Sequence, residues 1–170
     1  MAVMPSPSQE FAGRSVRELL QLQGRIVAEL RCRTIVRTGN APLGDYAEWL
    51  FAKAFGWKLE ENSAAGFDAG YGERRFQIKA RRLTASGRGT RQLSVIRNLQ
   101  AAHFDSLAAV LFAEDYSVWR AALVPREVVV ARATQTPHVN GWRFILKDEV
   151  WSVPGVEDVT ARLKVAEASD

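Results

Sequence analysis

The sequence is poor in the residues that cross-link small domains or build metal clusters. Cys32 is its single cysteine, which excludes an internal disulfide and any cysteine-based zinc cluster and favours a reducing, cytoplasmic setting. The two histidines, His103 and His138, lie far apart in the chain without a neighbouring cysteine or pair of carboxylates. We therefore expect no zinc site, and we expect both histidines at the surface or in loops.

Long apolar runs are also missing, since no stretch approaches the roughly 20 apolar residues that span a bilayer. Residues 1–9 are rich in Pro and Ser and lack the basic and apolar regions of a secretory signal, so we predict a disordered leader there. The run Ser86–Thr90 lacks the Gly-Lys-Ser/Thr of a nucleotide-binding P-loop. The remaining residues, 10–170, are expected to form one soluble domain with no membrane partner.

Negative charge is absent from one part of the chain. Between Arg74 and Arg97 there is no acidic residue, although the net charge of the whole chain is only +4. Such a basic stripe indicates a polyanionic partner. The alternative is that exposed arginines only solubilise a strand and a loop. The basic residues of the stripe are Arg74, Arg75, Lys79, Arg81, Arg82, Arg88, Arg91 and Arg97.

The order of periodic segments predicts an α/β fold, a mixed sheet flanked by helices. Ser15 or the Ser8 region is expected to cap the first helix, and Gly56 to end the second. Trp119, Trp142 and Trp151 are expected in the core. The predicted helices cover residues 9–37, 41–55, 95–102, 125–133 and 159–166. The predicted strands cover residues 57–60, 67–71, 74–83, 107–113, 117–124 and 142–146, with 107–113 buried on both faces.

Residues 66–82 carry the pattern that is most informative about function. Side chains alternate across a strand, so Phe76, Ile78 and Ala80 are expected on one face, and Gln77 and Lys79 on the other, together with Arg75 and Arg81. Asp68 would fold back beside them across a hairpin turn at residues 70–73. A carboxylate, an amide oxygen and an ammonium within a few ångströms are suited to a divalent cation and a phosphodiester.

Glu48 adds a second carboxylate on a predicted helix that is apolar nearly all round. It shares a face with Phe51, Ala52 and Phe55 at helical spacing. A carboxylate on a buried helix is costly unless it is paired or ligates a metal. The interpretations left open are a salt bridge, for instance to Arg25 or Arg81, and a place at the active edge of the sheet.

In this order the residues resemble the PD-(D/E)xK phosphodiesterase superfamily, which has the restriction-endonuclease-like fold. Its members carry a Glu on a helix, an Asp on the first strand of a hairpin and an (Asp/Glu/Gln)-x-Lys motif on the second strand. The matching positions are Glu48, Asp68 and Gln77-Ile78-Lys79. The similarity covers residues 43–124 and extends to a bacterial branch of the fold. Most members have Glu or Asp where this chain has Gln77, whose neutral amide oxygen ligates Mg²⁺ without adding charge.

The resemblance implies an Mg²⁺- or Mn²⁺-dependent endonuclease of a restriction or defence system that cleaves double-stranded DNA and leaves 5′-phosphates. It implies that Asp68, Gln77, the Ile78 carbonyl and Glu48 hold the metal, and that Lys79 orients the attacking water. It leaves open a homodimer. A non-catalytic DNA-binding module on the same fold is the alternative function, and a basic face that binds another protein or RNA is a third. The expected nucleic-acid contacts are Arg75, Arg81, Arg82, Arg88, Arg91, Arg97 and Asn98.

Overall fold

The structure is a computed structural model that describes residues 7–39, 41–61, 66–83, 90–139 and 141–169. Its contacts divide the chain into two compact units, Met1–Pro42 and Leu43–Asp170. The division follows Pro42, whereas the sequence suggested a boundary after residue 9. Within the predicted leader, residues 1–6 lie outside the described residues, and the short helix α1 (Pro7–Glu10) begins directly after them.

The first unit is built on the helix α2 (Val16–Cys32), whose start is capped as predicted. The Ser15 hydroxyl accepts the Glu18 N–H at 3.3 Å, and the Glu18 carboxylate accepts the Ser15 N–H at 2.7 Å, which forms a capping box. The predicted extension to residue 37 is wrong. Thr34 takes a left-handed conformation with φ of 62°, and the N–H of Ile35 folds back onto the Leu30 carbonyl. This turn ends the helix five residues early.

The second unit begins with the helix α3 (Leu43–Phe55), which ends at Gly56 as predicted. Gly56 has φ of 69°, a conformation that favours glycine and stops the helix. Five strands of the sheet follow, with bounds close to those expected from sequence. They are β1 (Lys58–Leu59), β2 (Ala69–Tyr71), β3 (Arg74–Arg82), β4 (Ser106–Phe112) and β5 (Val118–Pro125).

The α/β class is confirmed, because these strands form one mixed sheet flanked by helices. Its six strands lie in the order β1-β2-β3-β4-β5-β8, where β8 (Glu157–Asp158) is an edge strand that sequence did not indicate. Only β3 and β4 run parallel, and the other neighbours are antiparallel. Every residue of β4 is buried, as the unbroken apolar run predicted.

The sheet separates two apolar cores. Phe76, Ile78, Ala108 and Val110 pack under α3 and the C-terminal helix α5 (Thr160–Ala168). On the opposite face, Leu107, Ala109 and Leu111 of β4 pack against Ala122 and Val124 of β5 and against a layer of loops and short helices. Because paired residues of neighbouring strands share a face, the register places each β3 side chain over one of these cores.

The connection between β3 and β4 differs most from the prediction. The helix expected over 95–102 is wrong: only Leu99–Ala101 forms one turn of 3-10 helix, and the flanking Asn98 and Ala102 are left-handed. Ile96 instead pairs with Trp142, through hydrogen bonds of 2.9 and 2.8 Å in both directions. A backbone ladder to a distant segment outweighs a weak local helix preference here.

The C-terminal third also departs from the prediction in places. The helix α4 (Arg126–Arg132) starts one residue after Pro125, and β6 (Thr134–Thr136) pairs with β7 (Gly141–Arg143) in a separate two-stranded sheet. The strand predicted over 142–146 is therefore shorter and outside the main sheet. Trp142 and Trp151 pack against the core on the face of the sheet away from α3. Trp119 is 38% exposed, so the prediction that it lies in the core was wrong.

Candidate active site

The predicted alternation of β3 is confirmed. Phe76 and Ile78 are only 2% and 5% exposed and lie in the core under α3. Gln77 pairs with Leu107 and Lys79 with Ala109, and both partners belong to the opposite core. Gln77 and Lys79 therefore share the face of the sheet away from α3.

Asp68 lies directly before β2 and is held against β3 at two points. Its N–H donates to the Phe76 carbonyl at 2.8 Å, and its carboxylate accepts the Ile78 N–H at 2.7 Å. The regular β2–β3 ladder ends at the pair of Ala69 and Phe76, so the carboxylate bridges the point where the strands part. The structure thus brings Asp68 to the middle of the Gln77-Ile78-Lys79 motif.

The approach of the chain to Asp68 depends on Gly66 and His103. Gly66 has φ of 76°, and a Cβ added to it would lie 2.6 Å from the His103 ring. Only glycine fits this position, because the histidine occupies the space of a side chain. His103 is half-buried and packs on the backbone two residues before Asp68, a role that sequence reasoning missed because the two residues are distant in the chain.

Gln77 is a buried polar residue with an unsatisfied acceptor. The residue is 8% exposed, and its Oε1 has no hydrogen-bond partner among the described residues. Leaving such an acceptor buried and unpaired costs about 1–3 kcal/mol. A bound cation would relieve this cost. The amide oxygen and the Asp68 carboxylate, which is bound to the N–H of the next residue Ile78, are hard oxygen ligands, so their chemistry fits a divalent cation such as Mg²⁺.

Two further groups of the motif are placed for such a site. Within one strand residue the N–H and C=O point to the same side, so the Ile78 carbonyl is directed towards the edge that Asp68 occupies. Lys79 is half-buried on the Gln77 face, and the described part of the chain holds no hydrogen bond or ion pair to its ammonium group.

Glu48 is half-buried on α3, which covers the Phe76 and Ile78 face of the sheet. This is the face opposite to Gln77 and Lys79. The contacts that bring Asp68, Gln77, Ile78 and Lys79 together do not include Glu48, and its part in the site stays a prediction.

Arg75, at the start of β3, is held by protein groups. Its side chain donates to both carboxylate oxygens of Asp105, at 3.4 and 3.3 Å, and to the Ala102 carbonyl at 3.3 Å. The Arg75 backbone N–H, 2.8 Å from the Asp105 carboxylate, lowers the pKa of Asp105 most, and the guanidinium lowers it further against the effect of burial. Asp105 was not singled out in the sequence, and it accounts for Arg75 without DNA.

Arg91 is also engaged within the protein. It forms an ion pair of 2.8 Å with Asp148 and stacks on Trp119, with its guanidinium carbon 4.6 Å from the ring centroid. Arg120 binds the same carboxylate at 2.9 Å. The hydrogen bond from Arg91, followed by its charge and by Arg120, lowers the pKa of Asp148. Trp119 therefore supports the Arg91 side chain at the surface instead of packing in the core.

The other predicted DNA contacts are more accessible. Arg81, Arg82, Arg97 and Asn98 are exposed, and Arg82 lies over the Tyr116 ring at 4.6 Å. Arg88 lies outside the described residues. Within the described ranges, the exposed arginines of the stripe are Arg74, Arg81, Arg82 and Arg97, and the basic surface available to a polyanion is therefore smaller than the sequence stripe.

Comparisons and searches add these findings. No protein-family model and no curated protein sequence matches the chain. Over the described ranges, no three His, Cys, Asp or Glu residues are grouped so that they could hold a metal ion. None of the described helices has the length and apolar character to cross a membrane.

Proposed function

We propose that this protein is an Mg²⁺- or Mn²⁺-dependent endonuclease that hydrolyses phosphodiester bonds of double-stranded DNA, with a restriction-endonuclease-like fold and a role in restriction or defence. The observation that carries the proposal is the buried Oε1 of Gln77, which has no partner among the described residues, on the motif whose Ile78 N–H donates to the Asp68 carboxylate. A cation bound between the two would satisfy both oxygens.

The order of the elements supports the proposed fold. The helix α3 with Glu48, the β2–β3 hairpin with Asp68 and the Gln-x-Lys motif on β3 follow one another as in the PD-(D/E)xK superfamily. The hydrogen bond from Ile78 to the Asp68 carboxylate joins the two sequence motifs at one point of the sheet.

Each residue of the site has a distinct task in this proposal. Asp68, Gln77 and the Ile78 carbonyl would hold the ion, with Glu48 as the further carboxylate that the resemblance implies. A bound divalent cation supplies Lewis acidity, which polarises the phosphate and acidifies a water. Lys79 orients the attacking water and balances the negative charge that develops on the phosphate. Arg81, Arg82 and Arg97 bind neighbouring phosphates of the duplex.

A non-catalytic DNA-binding module is the second candidate, and two observations favour it. One oxygen of Asp68 already accepts the Ile78 N–H, and Gln77 brings no charge to the site. Such a descendant would keep the basic surface and lose the chemistry. It would bind DNA with an affinity that falls as salt rises, without any metal-dependent cleavage.

The deciding experiment is cleavage of a mixed-sequence plasmid in Mg²⁺, Mn²⁺, Ca²⁺ or EDTA. We expect nicking or linearisation in Mg²⁺ or Mn²⁺ alone, and its loss in Asp68→Asn, which removes the carboxylate charge. Asp115→Asn is the matched control, because Asp115 lies in the β4–β5 turn and bonds only to Ser117 among the contacts described. Uncut plasmid under all four conditions would contradict the nuclease proposal.

Gln77→Glu separates the two candidates further. The added carboxylate should tighten metal binding, since the cation then meets one more negative charge. If the wild type is inactive and Gln77→Glu cleaves, the protein is the DNA-binding module whose chemistry was lost at this position.

A further inference from the structure

A row of three paired residues crosses the first three strands of the sheet. Lys58 of β1 pairs with Gly70 of β2, and Gly70 pairs with Arg75 of β3. We name Lys58, Gly70 and Arg75 the Gly70 row. Because side chains alternate along a strand, the Gly70 row lies on the face that carries Gln77, opposite to the neighbouring row. That neighbouring row packs in or against the core under α3 and consists of Leu59, Ala69 and Phe76.

Gly70 is a strand glycine that neither its conformation nor its packing requires. Its φ lies outside the left-handed region, and a Cβ added to it would meet one atom of the described residues within 4 Å, the Arg74 carbonyl oxygen at an ordinary contact distance of 3.8 Å. Gly66 is the opposite case, because its φ and the His103 ring both exclude a side chain. Glycine weakens a strand, and one inside a strand often marks a place where a ligand approaches the backbone closely.

The charges around Gly70 favour an anionic ligand. Lys58, directly opposite on β1, is exposed, and over the ranges that the structure describes no hydrogen bond or ion pair engages its ammonium group. On the other side of Gly70, the Arg75 guanidinium is held by Asp105, which directly precedes β4, so it is drawn away from β2. The surface over Gly70 is therefore open and bordered by the Lys58 cation.

We infer that the surface over Gly70 is a phosphate subsite, where a backbone phosphate of the DNA lies against the Gly70 main chain and is bound by Lys58. The inference rests on the proposed function in that duplex DNA is the ligand. The Gly70 row crosses β3 two residues before Gln77, about 7 Å along the strand, so the subsite holds a phosphate near the cation site. It extends the DNA surface to β1, on the side of Gln77 opposite to Arg81.

The first test is binding of a mixed-sequence duplex, measured by fluorescence anisotropy over a salt series at a fixed concentration of Ca²⁺, which is not expected to support cleavage. Lys58→Gln should lower the slope of log affinity against log salt by about 0.9, because one phosphate contact is lost. Lys164→Gln is the matched control, since Lys164 is exposed on α5 at the other face of the sheet, and it should keep the wild-type slope.

Replacing Gly70 separates a glycine that a ligand approaches from a structural glycine. Without DNA, Gly70→Ala should unfold about 1–4 °C higher than wild type, because alanine restricts the unfolded chain and meets no clash. Its duplex affinity should nevertheless fall several-fold, and that of Gly70→Val about tenfold at 0.1 M salt, the size of one phosphate contact. Gly44→Ala on α3, where a Cβ also meets no clash, should gain stability and keep the wild-type affinity.

Failure of the inference and failure of the proposed function give different results. If Gly70→Ala unfolds at a lower temperature than wild type, the glycine is structural and the inference is overturned. If Gly70→Val and Lys58→Gln bind the duplex as wild type does, while neutralising Arg81 and Arg82 weakens binding, the DNA-binding face stands without this subsite. If wild type binds no duplex DNA, the proposed function itself is overturned, and the subsite with it.

Discussion

Strand β3 has two polar stretches, one at Arg75 and one at Gln77-Ile78-Lys79, and they differ in how far other protein groups pair them. The Arg75 backbone N–H, Nε and Nη2 donate to Asp105 and to the Ala102 carbonyl. Two residues further, the Gln77 oxygen is buried without a described partner. The difference teaches that a pattern of charges along a strand does not by itself define a site: the paired residues hold the fold, whereas a buried acceptor without a partner requires an explanation, of which a bound ion is one.

The largest expected effect is on the cleavage rate, and it comes from Lys79 in the second polar stretch of β3. Lys79→Ala should reduce plasmid cleavage about 100-fold, the scale for a positioned group that acts on the attacking water. The measurement is the single-turnover rate in Mg²⁺. Lys164→Ala is the control, because Lys164 is exposed on α5, at the other face of the sheet. An unchanged cleavage rate in Lys79→Ala would show that Lys79 has no catalytic role.

A smaller effect, on DNA binding, is expected from the exposed residues Arg81 and Arg82. Neutralising Arg81 and Arg82 together should weaken duplex binding for all sequences and lower the slope of log affinity against log salt by about 2, if each contacts one phosphate. The measurement is fluorescence anisotropy over a salt series. Arg75→Gln should leave the slope as it is, because Asp105 already neutralises Arg75. A slope that responds to Arg75 and not to the pair would place the DNA elsewhere.

The smallest effect concerns the paired stretch. The pKa of Asp105 lies below its ordinary value of 3.8, so the ionised carboxylate stabilises the fold above that pH, and this stability is lost as pH falls through the lowered pKa. Asp105→Asn should therefore lower the free energy of unfolding by about 0.5–1 kcal/mol at pH 7, and the difference should shrink below pH 4.

Urea unfolding from pH 3 to pH 7 measures this difference. Plasmid cleavage by Asp105→Asn should equal that of wild type once the folded fraction is matched. A selective loss of cleavage would show that the Arg75 stretch belongs to the site and would break the comparison.

Much of the fold could be predicted because its signals are local. The alternation of β3, the unbroken apolar run of β4 and the glycine after α3 each determine structure within a few residues. The crossover between β3 and β4 could not be predicted in this way. Ile96 pairs with Trp142, far along the chain, and this ladder replaces the helix that local spacing favoured.

The candidate site shows the same division. Asp68 and the Gln-x-Lys motif are linked by a short hairpin, so strand parity was enough to bring them together. The pairing of β1 with β2 depends on a ladder that the sequence does not display. The same holds for His103 against Gly66 and for Asp105 against Arg75.

By itself, the sequence determined which residues alternate on β3, which strand is buried and where basic residues concentrate, because these properties follow from neighbours in the chain. Only the tertiary structure decided which of those charges are already paired, and that the Gln77 oxygen is buried without a partner among the described residues. Hydrogen bonds and ion pairs form between residues that folding brings together, so the satisfaction of a polar group is a property of the packed sheet and not of the local pattern.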